Sequence, residues 1–488
     1  MRRRPGDSGP GERIEDAMTA EPRAARPVPP GRRPTFVAAF VGLAAAAVGL
    51  IYGYDTGAMA GALLFVKTDF GLSTLDQEMV TAAVTVGSIL GALAARRLCD
   101  QLGRRRTMVA VACGYAVFAA ASGFAPTYPV LLVARFLLGV AVGVSIVAAP
   151  IFVGESAPVR IRGRLLVTYQ LATTLGIASA YFTDLALSGA GAWRWMLGVS
   201  GIPAVLVTLL VARLPETPHW QVMRGNIEAA AAALRRTRSA EEAATELAEI
   251  RAALAAHDRG TFRDLFRRPF RRAGVFVVGL GFFVQITGIA AIVAYSPMIF
   301  KAVGFTSDRS AILVTSLVQL AAIIGEITAL FLVERAGRRP TLITGISLMA
   351  AANVVLALVF GLGVGPGVPA AIAVLGVIVF RIGYSAGFGS LVWVYASEAL
   401  PAPLRSTGAS TLLAVDLLAN FVITMTFLSA LTALGGATTF GIFFVLCAAA
   451  LAFVVRFAPE TKGRPLEEIH RYWTNGARWD RPRTTVRG

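Results

Sequence analysis

Two charged residues lie deep inside long apolar stretches of this chain. Asp55 stands in the segment 53–57, Gly-Tyr-Asp-Thr-Gly, and Arg135 stands a few residues into a later stretch. An ionised carboxylate costs several kcal/mol in such surroundings unless it is paired or protonated. An aspartate that alternates between pairing with an arginine and carrying a proton can couple proton movement to a conformational change. A static ion pair that holds two helices together is the alternative.

Amide and aromatic side chains also stand in the middle of apolar stretches. A ligand with many hydroxyl groups, which both donate and accept hydrogen bonds, suits amide partners and an aromatic face for its C–H surface. Any single amide is equally well explained as a satisfied core residue. The candidate binding residues are Gln170, Gln285, Gly389, Trp393 and Asn420.

The composition places these residues in a membrane protein. Hydrophobic residues make up 56% of the chain and charged residues 15%, on the membrane side of the averages for soluble domains. About twelve apolar stretches reach the ~20 residues that cross a hydrocarbon core. The first six are predicted at approximately 36–60, 77–95, 107–125, 129–153, 165–187 and 193–213, and the second six at approximately 273–300, 310–333, 341–362, 369–397, 406–433 and 438–458.

The net charge of +17 comes largely from arginine clusters at every second junction between these stretches. This alternation follows the positive-inside rule and predicts that both termini and the 214–272 loop are cytoplasmic. Topology thus explains the basic charge, and no nucleic-acid partner is expected. Residues 1–34 lack the apolar core of a signal peptide and are predicted to be a disordered basic tail. The three cysteines fit no metal spacing, and neither a metal nor a cofactor is expected.

Three short motifs occur twice in the same order. The motif that begins at Asp100 returns 234 residues later, the one at Glu155 returns 243 residues later, and the one at Pro215 returns 244 residues later. An internal repeat of this kind in a hydrophobic chain is typical of alternating-access transporters. The predicted units are an N-terminal six-helix bundle at 35–213, a linker with short amphipathic helices at 214–272, a C-terminal six-helix bundle at 273–458 and a tail at 459–488.

The repeated motifs place charges at predicted helix ends. Their glycines permit a tight turn, and their arginines can reach carboxylates on neighbouring helices. The clusters are therefore predicted to form a cytoplasmic gate that holds and releases the two halves. Alternatively, the arginines only fix topology and bind anionic headgroups of the lipid bilayer. The predicted gate residues are Asp100, Gly103, Arg104, Arg105, Glu155 and Arg162 in the first half, and Glu334, Gly337, Arg338, Arg339, Glu398 and Arg405 in the second.

The chain resembles the sugar porter family of the major facilitator superfamily from about residue 49 to residue 469. The resemblance rests on the doubled loop motif, on Glu-x-x-Pro-x-x-x-Arg in both halves, and on Pro-Glu-Thr-Lys-Gly at 459–463. It implies an all-α membrane protein with twelve transmembrane helices in two pseudo-symmetric six-helix bundles, the major facilitator fold. It also implies proton coupling by Asp55 and Arg135, because proton-coupled members carry this pair. No counterpart of the pair can be identified in the second half.

The seventh stretch departs from the family pattern. Val284, Ala290 and Ala294 replace a glutamine, an asparagine and a tyrosine that the family uses to hold and cover a hexose. Their loss removes hydrogen bonds worth ~1 kcal/mol each and makes the predicted pocket roomier and more apolar. Further acids in or near the spans could bind a cation, move protons or face water in a central cavity. These acids are Asp184, Glu326, where the family usually has a small or hydroxyl residue, and Asp416, at a place often held by an amide.

The leading hypothesis is proton-coupled symport of a sugar or polyol by a monomeric transport unit in a bacterial-type inner membrane. Movement of a less polar metabolite, including export by proton antiport, is the second hypothesis, and a non-transporting nutrient sensor is the third. An enzyme is not expected, because the chain has no nucleophile–base pairing, metal spacing or phosphate-binding glycine loop.

Overall fold

The computed structural model describes residues 36–157, 159–236, 238–255, 261–363, 365–400 and 404–479. Within these ranges the chain is helical and contains no β-strand. The predicted tail at 1–34 lies outside them. The long helices are α1 Phe36–Phe70, α2 Thr74–Leu102, α3 Arg104–Gly123, α4 Tyr128–Ser156, α5 Val159–Ser188, α6 Trp193–Gly198 with Gly201–Ala212, α7 Arg271–Ile286 with Ile289–Ala302, α8 Asp308–Ala336, α9 Arg338–Leu362, α10 Val368–Tyr384 continuing to Glu398, α11 Arg405–Ala433 and α12 Gly435–Phe457.

The long helices confirm the predicted all-α membrane fold. Eleven spans in the described part of the chain are long and apolar enough to cross a membrane, and α5 adds a helix of 30 residues between the fourth and the next of them. Several helices run past the predicted apolar stretches because their polar ends continue outside the hydrocarbon. For example, α2 begins at Thr74, where Ser73 and Asp76 form a capping box.

Two helices of the second half are interrupted near their middle. α7 breaks at Gly288, whose φ of +106° is a conformation that glycine adopts at little cost. α10 contains a π-helical turn at Ser385–Gly389. Interrupted membrane helices free backbone groups, and in transporters they recur beside binding sites. The two breaks lie next to Gln285 and Gly389, both predicted to bind substrate.

A glycine on α1 brings the first helix into contact with the backbone of α5. The two helices pack along much of their length. A Cβ atom at Gly53 would overlap the main-chain carbonyl of Thr173. The missing side chain permits this close approach of α1 and α5. Asp55, two residues further along α1, is also buried.

The two halves touch in the middle of the bundle and at one end. We call the end where they touch the far end, and it contains the α1–α2 and α7–α8 turns. We call the opposite end the arginine-rich end, and it contains the α2–α3 and α8–α9 turns. At the far end, the carboxylate of Glu78 on α2 accepts hydrogen bonds from the backbone N–H (2.7 Å) and the hydroxyl (2.6 Å) of Ser429 on α11. Closer to the middle, the Ser316 hydroxyl on α8 donates to the Tyr181 carbonyl on α5 at 3.1 Å. These bonds close the bundle at the far end.

The other end of the bundle holds an open pocket. It is lined by residues of the last turns of α10 and the first turns of α11, among them Trp393, Arg405 and Ala409. The Trp393 side chain is 42% exposed. The pocket therefore lies on the second half, at the end of the bundle opposite to the Glu78–Ser429 bonds.

The linker and the C-terminal segment pack against the ends of the helices. The short linker helices bury a core of their own formed by Leu234, Ala243 and Ile250. A C-terminal helix, Leu466–Thr474, buries Trp473, whose indole N–H donates to the Ala399 carbonyl at 2.6 Å. The linker helices are Pro218–Met223, Ile227–Arg235, Ala240–Ala255 and Phe262–Leu265.

Replacement of Glu78 by alanine is expected to weaken closure of the far end. Glu78 is fully buried, and without its carboxylate the Ser429 N–H and hydroxyl lose their acceptor on the other half. A loss of this kind costs roughly 1–3 kcal/mol. Spin labels at the exposed residues Leu75 and Leu434, in a variant lacking the native cysteines, would report the separation by electron-spin distance measurement. We expect a larger population of long distances.

The matched control is Thr426→Ala on α11. Its hydroxyl donates to the Val422 carbonyl of the same helix at 2.7 Å and lies on an exposed face. This variant should keep the parent distances. A Glu78→Ala distance distribution identical to that of the control would contradict the assigned closure.

Candidate substrate and proton site

Asp55 and Arg135 meet in the interior of the first half. α1 carries the aspartate and α4 the arginine, and Arg135 Nη1 lies 2.6 Å from Asp55 Oδ1. Their exposed fractions are only 4% and 2%. A charge-assisted contact of this length offsets part of the cost of burying the two charges. The structure thus brings the two residues together, and their role in proton coupling stays a prediction.

Two predicted binding amides belong to one chain of hydrogen bonds. Thr85 on α2 donates to Asn420 Oδ1 on α11 (2.9 Å), and Asn420 Nδ2 donates to Gln285 Oε1 on α7 (3.2 Å). Gln285 Nε2 in turn donates to Asp416 Oδ1 on α11 at 3.0 Å. The chain of hydrogen bonds thus runs from the Thr85 hydroxyl through two amides and ends on the Asp416 carboxyl group as its last acceptor.

The amide chain is close to the buried ion pair. Tyr52, on α1 three residues before Asp55, lies within electrostatic reach of both Asp55 and Asp416. Gln285, Asp416 and Asn420 are partly exposed although they stand in the middle of their helices. Partial exposure at this depth is expected of residues that line a cavity between the halves.

The third predicted amide, Gln170 on α5, stands at another contact between the halves. It lies beside Glu326 on α8. Glu326 Oε1 accepts a hydrogen bond of 2.6 Å from the hydroxyl of Thr174, one turn along α5. The side chain of Gln319 on α8 donates to the Thr174 carbonyl at 3.3 Å. Each predicted glutamine therefore has an acid of the second half as a neighbour.

The predicted α10 residues lie towards the arginine-rich end of the cavity. Gly389 closes the π-helical turn and lies against the Tyr384 ring. Trp393 follows one turn later and presents its indole to the open pocket. By position along the helices, Trp393 lies nearer the arginine-rich end than the amide chain does. The family-variant positions on α7, which are Val284, Ala290 and Ala294, are all buried.

Arg381 on α10 is a buried charge that the sequence patterns did not reveal. It is 5% exposed, and its guanidinium donates a hydrogen bond to Gln319 Oε1 on α8. Glu326 also lies within electrostatic reach of it. Arg381 stands 246 residues after Arg135, close to the offset of the repeated motifs, and this spacing is the signal that could have found it. The second half thus has a buried arginine of its own, but its hydrogen bond to the neutral Gln319 does not repeat the pair of Asp55 and Arg135.

Three of the predicted gate residues of the first half, Asp100, Arg104 and Glu155, form one network at the arginine-rich end. Arg104 lies 3.0 Å from Glu155 and 3.2 Å from Asp100. Glu155 also accepts a hydrogen bond of 2.6 Å from the Thr217 hydroxyl, which follows α6. The network therefore joins the ends of α2, α3, α4 and α6.

The second half repeats this arrangement. Arg338 lies 3.2 Å from Glu398, and the Thr461 hydroxyl donates to Glu398 at 2.7 Å. Arg405, beside Glu398 in the predicted gate, has two guanidinium nitrogens, Nε and Nη2, that are buried without a hydrogen-bond partner in the described ranges. Each ion pair joins helices of a single half, so the assignment of these residues to a gate stays a prediction. Glu334 lies on the last turn of α8, and the side chain of Arg162 lies outside the described residues.

Two glutamates of the repeated Pro-Glu-Thr motif have a structural role that the sequence did not reveal. Glu216 accepts the backbone N–H of Arg105 at 2.9 Å, and Glu460 accepts that of Arg339 at 3.0 Å. Carboxylates at these positions cap the first turns of α3 and α9, where helix N–H groups lack internal partners. The occurrence of the motif in both halves was the available signal. The turns that admit these carboxylates contain Gly103 and Gly337, with φ of +99° and +98°.

The described residues contain no group of three or more His, Cys, Asp or Glu that could hold a metal ion. Asp184 is fully buried on α5, and neither of its carboxylate oxygens has a hydrogen-bond partner in this part of the chain. It packs against Gly61 on α1, within one half and away from the amide chain.

Comparison with known proteins gives matches over almost the whole chain. The model of the family described as sugar (and other) transporter matches residues 41–473. The galactose-proton symporter of Escherichia coli strain K12 is 36% identical over 447 residues, covering 91% of this chain and 96% of that protein. Polyol transporter 5 of Arabidopsis thaliana is 31% identical over 494 residues, covering 96% of this chain and 91% of that protein.

Solved structures agree with these relatives. The inward open conformation of the xylose transporter XylE from Escherichia coli matches with a TM-score of 0.76 at 25% identity, covering 89% of this chain and 99% of that one. The proton:xylose symporter XylE bound to 6-bromo-6-deoxy-D-glucose matches with a TM-score of 0.74 at 25% identity, covering 90% and 99%. With a family match of this length on a fold of this kind, the chain belongs to the sugar (and other) transporter family.

Proposed function

We propose that this protein carries a sugar or polyol across the membrane together with protons, by alternating access. Its relatives include a galactose-proton symporter and a polyol transporter. The observation that carries the proposal is the buried pair of Asp55 and Arg135, close to the chain of hydrogen-bonded amides that joins the two halves. An acid buried in a membrane helix is costly, and proton transfer is a function that such a residue serves.

We assign the arginine-rich end to the cytoplasm of a bacterial-type inner membrane, following the positive-inside rule. With this orientation the closed far end is extracellular, and the open pocket beside Trp393 faces the cytoplasm. Asp55 is ionised while it pairs with Arg135. A proton that enters from outside neutralises the carboxylate and frees the arginine, and the pair forms again when the proton leaves towards the cytoplasm. One chain contains both halves of the cavity, so a monomer suffices as the transport unit.

The two networks at the arginine-rich end are proposed to act as preformed faces of the cytoplasmic gate. In the inward-facing state each network holds the helix ends of its own half. The halves then move as rigid bodies, and the two charged faces meet when the cavity closes on this side.

Substitution of Asp55 by asparagine is expected to abolish concentrative uptake and to preserve exchange. Asparagine can still pair with Arg135 but cannot carry a proton, so sugar would move only to equilibrium. Uptake of labelled sugar into proteoliposomes with and without an imposed pH gradient measures coupling, and counterflow measures exchange. Asp69→Asn on the same helix, which removes an exposed pair with Arg194, is the control. Accumulation that still depends on the gradient in the Asp55 variant would show the assignment to be wrong.

Charge exchange between Arg338 and Glu398 tests the second-half network. Glu398→Arg places two like charges together and is expected to lower the uptake rate about tenfold, or ~1.4 kcal/mol in the barrier. Combination with Arg338→Glu restores an opposite-charge pair and should recover part of the rate, as measured by initial uptake in proteoliposomes. A double variant that is no better than the single one would argue against an interaction between these side chains during transport.

Transport of a less polar metabolite is a second candidate function, because three apolar residues, Val284, Ala290 and Ala294, stand where the family has polar ones. Counterflow of labelled galactose in competition with unlabelled sugars, polyols and apolar metabolites separates the candidates. If no sugar or polyol exchanges or competes at millimolar concentration, sugar transport is wrong and the second candidate takes its place.

A further inference from the structure

Two acids in the centre of the protein each stand beside a glutamine of the proposed sugar site. Asp416 accepts from Gln285 at 3.0 Å, and Glu326 lies beside Gln170. We propose that these two carboxylates are the acceptors that recognise the hydroxyl groups of the substrate, and that their charge excludes sugar acids. This inference rests on the proposed function, transport of a sugar or polyol.

The Gln285 and Asp416 pair presents a donor and an acceptor side by side. Asp416 Oδ1 is occupied by Gln285, and Oδ2 accepts no hydrogen bond within the described part of the chain. Gln285 Nε2 carries a second hydrogen that the amide chain does not use. A substrate hydroxyl can therefore donate to Oδ2 while it, or a neighbouring hydroxyl, accepts from Nε2. Adjacent hydroxyls on one carbon chain fit this arrangement.

Glu326 offers the second acceptor, from α8 instead of α11, and Tyr384 lies within electrostatic reach of both acids. Its Oε1 is bonded to Thr174 of the first half at 2.6 Å, and the side chain is partly exposed. Behind it, Arg381 is buried and bonded to Gln319. The arginine offsets part of the negative charge of Glu326 within the protein. Because Arg381 is only 5% exposed, the surface offered to a ligand is the carboxylate.

Recognition by carboxylates compensates for the groups missing from α7. A hydroxyl that donates to an ionised acceptor forms a bond roughly twice as strong as one between neutral groups. Two such acceptors can replace the amide and phenol partners that are absent at Val284, Ala290 and Ala294. A ligand carboxylate at the same place would face like charges in a medium of low dielectric, where repulsion is strong. Neutral pentoses, hexoses and hexitols are thus accepted, and uronates are rejected.

The test uses the purified full-length protein in proteoliposomes. Counterflow of labelled galactose is competed with unlabelled galactose, mannitol or galacturonate, for the parent protein and for the variants Asp416→Asn and Glu326→Gln. The parent should be inhibited by galactose or mannitol and not by galacturonate. Each variant should bind the neutral competitors about tenfold more weakly, because a charged acceptor becomes a neutral one. The preference for galactose over galacturonate should fall by a similar factor.

The matched control is Asp308→Asn, which removes a carboxylate paired with Lys301 at the protein surface. It should behave as the parent does. The two variants lie on different helices. If size-exclusion chromatography shows that one of them is misfolded, the other still tests the inference. A parent that exchanges no sugar or polyol overturns the proposed function. A parent that exchanges sugar, with folded variants that keep its affinity and its rejection of galacturonate, overturns this inference alone.

Discussion

Charge inside a membrane protein must be paired or lie beside water, and this constraint shapes the centre of the molecule. Asp55 and Arg135 satisfy it as a close pair across two helices of one half. Arg381 satisfies it differently, through the neutral Gln319 and the nearby Glu326. An unpaired charge in hydrocarbon costs several kcal/mol, so the packing around each buried charge must bring a partner within hydrogen-bonding distance. Gly53 contributes to this packing, because it allows α1 to approach the backbone of α5 closely in the turn that contains Asp55.

The two halves are most alike at the arginine-rich end and least alike in the centre. At that end both halves join an arginine, a glutamate and a threonine, and both cap a helix with a second glutamate. In each half, these ion pairs and hydrogen bonds hold the ends of neighbouring helices together. In the centre, the buried arginine of the first half is paired with an aspartate, whereas that of the second half is bonded to a glutamine. The amide chain ends on a carboxyl group of the second half, that of Asp416. A duplicated scaffold thus carries two different polar centres, which suits a cycle that handles a proton and a substrate separately.

The sequence predicted much of the fold because the signals for membrane helices are local. A stretch of ~20 apolar residues is sufficient to predict a span, and repeated charged motifs at helix ends predicted the residues that form the two networks. Contacts between distant parts of the chain were less accessible. Glu78 and Ser429 are 351 residues apart, and neither stands in a repeated motif. The caps by Glu216 and Glu460 depend on how the chain returns after α6 and α12, which no local pattern encodes. The offset between the repeats could have identified Arg381 as a counterpart of Arg135, but it could not have predicted the hydrogen bond between Arg381 and Gln319.

The amide chain connects the contact between the halves in the middle of the bundle to the proposed substrate site. Asn420 receives the hydrogen bond from Thr85 of the first half and donates to Gln285 of the second. The same residue therefore belongs to the contact between the halves and to the proposed binding surface. A substrate hydroxyl that donates to Asn420 Oδ1 competes with the Thr85 hydroxyl for the same oxygen. Substrate binding and the contact between the halves therefore depend on the same amide. Glu326 likewise joins the halves, because it accepts a hydrogen bond from Thr174 of the first half. If the substrate binds as proposed, two such shared residues give it unequal contacts in the open and closed states. A ligand shifts a conformational equilibrium only through such a difference.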